Sequence, residues 1–382
     1  MLVSTLEDLR TWRRQLHAHP ELSLQEFETT AYIRQEISKM GLAYQAPMET
    51  ATVVYLQGQL TDTLLLRADI DALPIQEETG FDFQSQKPGV MHACGHDGHT
   101  SILLATLKDL KALADQGQLY HSVLAVFQPA EETFGGGNLL IQAFDFKAYP
   151  IKAAYALHLN PDYPVGTLVT RQGPLMASCT EFTIEVKGQA AHVGVRERGL
   201  NALHAVHLVY QQVQTIPTFK LDAKHTNIIH IGTLKAGEAV NSVPAFARMT
   251  GTIRTYDQAD FALIQDQLDK ICQGIALATD CQIDLTFAVG YPAVINDAVL
   301  LESVQKAAGN AGADFYLQPE PYLLGEDFSF FQAVAPINYS FVGIRDENKG
   351  YTAGLHTSRL AFDEEALIYG VDYFVQLVQD RG

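Results

Sequence analysis

Two hydrophobic rhythms run through the 382-residue chain, and their order restricts the folds open to it. Short β-branched or apolar runs, TVVYL at 52–56, TLLLRAD at 63–69, SVLAVF at 122–127 and AAYALHL at 153–159, alternate with helical periodicity. Leu6, Leu9, Trp12 and Leu16 place a helix at the start, a second runs from about Leu24 to Met40 before Gly41, and others span Thr100 to about Leu113 and 136–143. Strands apolar on both faces, separated by helices, predict an α/β domain whose mostly parallel sheet is covered by helices.

The middle of the chain reads differently. Strands at 179–188, 227–234, 246–255 and 281–289 with helices at about 199–215 and 258–278 follow the order β-α-β-β-α-β of a ferredoxin-like α+β unit. EFTIEV and ARMTGTIR alternate polar with apolar residues, as a sheet with one wet face requires. The α/β rhythm then resumes, with a helix at about 299–310, a strand at 339–344 and a closing helix at about 364–380. The expected organisation is a larger domain formed by 1–176 and 292–382, interrupted by an inserted domain at 177–291.

Charge narrows the function. With 26 Lys+Arg against 44 Asp+Glu, the net charge of −18 argues against nucleic acid and anionic membrane as partners, leaving a small molecule as the expected one. No apolar run approaches the roughly 20 residues of a membrane span, and the N-terminal stretch has charges where a secretion signal needs its apolar core. Four scattered cysteines do not form a disulfide framework, so a reducing, cytoplasmic setting is expected.

Chemistry-bearing residues concentrate in a few places. MHACGHDGHT at 91–100 holds His92, Cys94, His96, Asp97 and His99; on an extended segment Cys94 and His96 point to the same side and can share a metal, while Asp97 faces away and can orient a ligand. Adjacent Glu131 and Glu132 follow the strand ending at Phe127; their side chains diverge, so one can bind metal while the other serves as general base toward water. His158 and His356 stand singly in YALHLN and AGLHTS, where a hydrogen-bonded core histidine is the competing reading. Asp69 and Asp71 close a buried strand at its C-terminal end, the edge where open α/β sheets bind ligands. No dinucleotide or phosphate-loop motif, HExxH or GxSxG competes with this set.

Taken together, HPELSLQEF, RADIDALPIQEETG, MHACGHDGHT, FQPAEE, LHLNPDYPVGT, NSVP, GTIRT, GEDFS and LHTS resemble the M20 family of metallopeptidases, in the amidohydrolase branch that uses a Cys ligand. The resemblance covers nearly the whole chain. It implies two divalent metal ions (Zn, Mn, Ni or Co) held by Cys94, His96, Glu132, His158 and His356, with Glu131 as general base and Asp69 as an orienting carboxylate. It also implies that the inserted domain is a lid that makes a homodimer, with His192 reaching a neighbouring active site and Asn241 and Arg254 contacting the substrate carboxylate. Glu197 stands where a second lid histidine is often found. Within the branch, ADIDALPIQEETGFDF and HLNPDYPVGTL look most like the N-acetyldiaminopimelate deacetylases, so the expected reaction is hydrolysis of N-acetyl-L,L-diaminopimelate to L,L-diaminopimelate and acetate in lysine biosynthesis. Another N-acyl amino acid, a non-catalytic binding homologue and a structural metalloprotein are the alternatives.

Overall fold

The structure, a computed structural model, describes residues 3–381. Contacts divide the chain into two units: one contains residues through Leu175, Ile295–Pro321 and the chain from Asp327 onward; the other contains Met176–Val294 and Tyr322–Glu326.

The larger unit is a seven-stranded sheet. Its strands are β1 (Thr52–Leu56), β2 (Thr63–Asp69), β3 (Ser122–Gln128), β4 (Ile151–Pro164), β5 (Thr167–Thr170), β6 (Asp314–Leu317) and β7 (Ile337–Arg345). The spatial order is β1-β3-β2-β4-β7-β5-β6. The central β3-β2-β4-β7 block is parallel, as the apolar runs predict. β1 pairs antiparallel with β3, and β5 antiparallel with β7, so the sheet is mixed towards its edges. β5 and β6, four residues each, are too short to have left a readable periodicity.

Helix α1 (Leu6–Ala18) begins with a capping box between Thr5 and Asp8 and turns Leu9, Trp12 and Leu16 inward. α2 (Phe27–Lys39) contributes Ile33 and Ile37. α3 (His96–Asp115) and the C-terminal helix Ala366–Gln379 complete the helical cover, and all four share one buried core with Leu64, Leu66, Val123 and Val342 of the sheet. On the opposite face of β7, Tyr339 packs against Phe328, which stacks on Phe331.

α3 corrects one expectation. It begins at His96, not Thr100, so Cys94 and His96 do not lie on an extended segment: Gly95, at φ +88°, turns the chain between them. The polar turn His96–His99 is buried through pairing rather than apolar contact, which is why apolar spacing starts too late to reveal it.

The inserted unit is a four-stranded antiparallel sheet ordered Gln282–Phe287, Thr180–Lys187, Phe246–Thr255, Asn227–Ala236. Phe182, Ile184 and Val186 pack with Val206 and Val209 of helix Ala202–Val213 and with Ile264 and Leu268 of helix Gln258–Thr279. Glu181, Thr183 and Glu185, interleaved with those apolar residues, belong to the other face by strand alternation.

A buried ionic group locks the centre of the larger unit. Arg67 of β2, 1% exposed, donates to Asp69 (2.7 Å), to Gln128 of β3 (3.0 Å) and to Asp327 (2.7 Å), and Asp327 also accepts from the Gln128 amide and the Gly137 N–H. Removing one member leaves buried charge uncompensated. Arg67→Leu should therefore lower unfolding stability by about 3–5 kcal/mol, read from a shift in the urea midpoint; a shift below about 1 kcal/mol would mean water screens the group.

Candidate metal centre

The parallel strands β3, β2 and β4 end at one edge of the sheet, and the chemistry collects there. Asp69 is the last residue of β2, Glu131 and Glu132 follow β3, His158 lies within β4, and Cys94 and His96 flank the turn that starts α3. His356 comes from the loop between β7 and the C-terminal helix; its N–H donates to the Ala93 carbonyl (2.8 Å) and its φ is +58°.

Cys94 Sγ lies 3.3 Å from His158 Nε2 and 3.3 Å from His356 Nε2, which in turn is 3.3 Å from Glu132 Oε1. Glu132 Oε1 is 3.8 Å from His96 Nε2. Donor atoms of Cys94, His96 and His158 lie within 4.8 Å of one another, as do those of Cys94, Glu132 and His356, and those of His96, Glu131 and Glu132. The five expected ligands and Glu131 are thus brought together in one cluster.

Three features make the set suitable for divalent cations. His158 Nδ1–H donates to the Leu159 carbonyl (2.7 Å) and His96 Nδ1–H to the Asp71 carbonyl (2.9 Å), which turns both Nε2 atoms toward the cluster. His96 Nε2 is buried with no hydrogen-bond partner among the described residues. The local field also attracts positive charge: burial opposes ionisation of His96, yet Asp69, Asp71 and Glu132 lift its pKa to about 10. Thiolate, imidazole and carboxylate donors in one place fit a borderline-soft metal.

Asp69 points at His99, not at a ligand's outer nitrogen. Its carboxylate is fully buried, accepts from His99 Nδ1–H (2.6 Å) and pairs with Arg67. Burial works against its charge, but His96, His99 and Arg67 hold its pKa well below the ordinary carboxylate range. His99 Nε2 accepts from the Leu159 N–H (2.9 Å), so both its nitrogens are engaged. Asp97 does face away from the cluster, where it binds Arg13 (3.1 Å) and His17 (2.8 Å) of α1 and anchors the start of α3. His92 is buried with both ring nitrogens unpartnered among the described residues, and burial drives its pKa down to about 4.

The residue that residue types alone left without a role is Asp71. Its two oxygens accept from the N–H groups of Glu131 and Glu132 (both 3.1 Å) and from Ser23 (2.7 Å), and Oδ1 lies 3.3 Å from His96 Nδ1. Its position two after Asp69 on a continuing extended segment was the available signal.

The residues expected on a lid lie on the inserted unit. His192 is exposed, its Nδ1 accepting from the Gly194 N–H (3.1 Å). Asn241 is its neighbour: the Asn241 carbonyl accepts from the Val193 N–H (3.0 Å), and Ser242 pairs with His192. Arg254 is half-buried on the strand Phe246–Thr255. Glu197 is exposed beside Arg198.

Residues 65–380 match the sequence model of peptidase family M20/M25/M40. The chain belongs to this family. An uncharacterized hydrolase of Staphylococcus haemolyticus is 45% identical over 381 residues, covering 100% of both chains. One of Staphylococcus aureus strain USA300 is 44% identical, covering 99% of each. Among solved structures, the Bacillus subtilis YXEP protein, described as a dinuclear metal binding peptidase from the M20 family, superposes with a TM-score of 0.82 at 31% identity, covering 98% of this chain and 97% of that one. This M20 chain is therefore a hydrolase-family member whose clustered side chains are compatible with metal binding, and no described helix is long and apolar enough to cross a membrane.

Loss of a carboxylate that orients a ligand usually lowers metal affinity about 10–100-fold. Asp71→Asn should do so here, measured by competition with a chromophoric chelator, with far-ultraviolet circular dichroism preserved. Wild-type affinity would remove Asp71 from that role.

Proposed function

We propose that this chain is a metal-dependent amidohydrolase that removes an N-acyl group from an amino acid, with N-acetyl-L,L-diaminopimelate as the substrate and L,L-diaminopimelate and acetate as products. The observation that carries the reading is the placement of Glu131: its peptide N–H is fixed by Asp71, and its carboxylate belongs to the same cluster as His96 and Glu132. A structural metal site has no use for such an extra carboxylate.

Cys94, His96, Glu132, His158 and His356 would hold two divalent ions. When bound, these ions supply Lewis-acid polarisation of the acyl carbonyl and make water more acidic. Glu131 takes the proton from the attacking water and delivers it to the leaving amine, so one carboxyl group acts first as base and then as acid. Asp69, clamped by Arg67 and His99, keeps the floor of the cluster rigid and negatively charged.

The lid residues complete the proposal. His192, with Nδ1 occupied by the Gly194 N–H, has Nε2 available to donate to an oxyanion in a neighbouring subunit's site. Arg254 and Asn241 would bind the substrate carboxylate, Arg254 through paired N–H groups that lysine lacks. Strand Asn227–Ala236 is the outer strand of the inserted sheet, and among the described residues nothing pairs with its free edge, which supports a homodimer through this unit. Four free cysteines suit a cytoplasmic enzyme of amino-acid biosynthesis.

The deciding experiment is turnover by metal-reconstituted protein of N-acetyl-L,L-diaminopimelate against a panel of N-acetylated standard amino acids. Preference for the diaminopimelate compound supports the full reading, faster turnover of another member reassigns the substrate, and no turnover of any member sinks the amidohydrolase. Glu131→Gln should abolish turnover while metal content stays at the wild-type level; loss of metal with activity would mean that the roles of Glu131 and Glu132 are exchanged. His192→Ala should lower kcat by about 10²–10³-fold without changing the thermal midpoint, and a wild-type rate would reduce it to a surface residue.

A further inference from the structure

Three successive backbone N–H groups around the proposed base are held by two buried carboxylates from distant parts of the chain. Asp71 takes those of Glu131 and Glu132; Glu26 Oε1 takes that of Ala130, at 2.9 Å. Glu26 precedes α2, is 0% exposed, and its second oxygen, Oε2, is buried with no partner among the described residues. A carboxyl group so enclosed is unfavourable unless it does something in that place.

What it holds is a strained peptide. Ala130 has φ +58°, a conformation that costs a non-glycine residue about 1–2 kcal/mol. The direction in which the chain leaves Ala130 sets where Glu131 begins. The segment carrying Glu26 is itself tied to the site: the Ala72 N–H donates to the Glu21 carbonyl (2.8 Å) and the Ser23 hydroxyl to Asp71 (2.7 Å). Glu26 and Asp71 thus grip the same turn from two anchored segments.

We propose that Glu26 is a positioning residue for Glu131: by accepting the Ala130 N–H it holds that peptide in its left-handed conformation and fixes the base relative to the ligand cluster. The proposal rests on the reading of Glu131 as general base. The bond needs an acceptor oxygen, not a negative charge. Burial, reinforced by the Asp71 carboxylate, lifts the Glu26 carboxyl to about 7, so a neutral side chain of the same length suits the position. Glutamine supplies the acceptor, and alanine does not.

The test uses full-length, metal-loaded protein and whichever N-acetyl amino acid of the panel is turned over fastest. Misplacing a reacting group by about 1 Å costs on the order of 10²-fold, so Glu26→Ala should lower kcat about 30–100-fold. KM should stay within about twofold and bound metal per chain at the wild-type level, while Glu26→Gln restores kcat to within about fivefold, as expected when only the acceptor matters. If Glu26→Ala does not fold, Glu26→Asp, which withdraws the acceptor by one methylene, replaces it with the same expectations. The proposal is overturned if the truncated variant keeps kcat within about threefold of wild type, if it loses metal in step with activity, or if Glu26→Gln is impaired as severely. Glu131→Gln run alongside separates the two ideas: turnover surviving in that variant removes the base assignment itself, whatever the Glu26 variants do.

Discussion

The carboxylate of Asp71 is the fixed point on which the site depends. Burial alone would discourage its charge, but the bonds from His96, Ser23 and the Glu132 N–H more than offset this and hold its pKa below the ordinary range. An anion stabilised in this way is rigid, because every donor must stay in place for it to remain charged. Its partners come from the segment before α2, from the first turn of α3 and from the loop after β3. Moving any one of these would disturb the others. The Arg67 group next to it ties β2, β3 and Asp327 together in the same manner, so a framework of satisfied charges backs the edge of the sheet that carries the cluster.

The global charge of −18 and the charge of the cluster are separate matters. Burial first, then Glu132, Glu131 and Asp69, push the Cys94 thiol well above its ordinary pKa. Burial also drives His158 well below its ordinary value, assisted by His99 and His96, so this ring is neutral and available as a donor. Were Cys94 and His96 to bind a cation, both would have to give up a proton on binding.

Much of this was legible in the sequence, for reasons that differ by element. The central strands show themselves because a strand covered on both faces carries consecutive apolar residues, as β2 does at Leu64–Leu66, β3 at Val123–Phe127 and β4 at Ala153–Leu157. The inserted sheet shows itself through the opposite pattern, Phe182, Ile184 and Val186 alternating with polar neighbours. The start of α3 was hidden because His96, Asp97 and His99 are buried by ion pairing, which leaves no hydrophobic trace. The side chains that meet in the cluster could be picked out by their chemistry; the grip of Asp71 on the Glu131 and Glu132 peptides could not, since the groups it holds are backbone atoms that look alike in every sequence. Arg67 and Asp327 are 260 positions apart, and only the fold makes them partners.

The position of β7 has a consequence for how the protein comes into being. Although it is contributed by residues 337–345, it lies inside the sheet between β4 and β5, and His356 follows it. As the chain emerges from the ribosome, the inserted unit possesses its four-stranded sheet and its two long helices well before the larger unit can close around that missing strand. The interruption is therefore finished before the domain it interrupts, and the host waits with one side of β4 unpaired. The cluster of candidate ligands is likewise complete only at the last stage, when His356 meets Cys94 and Glu132.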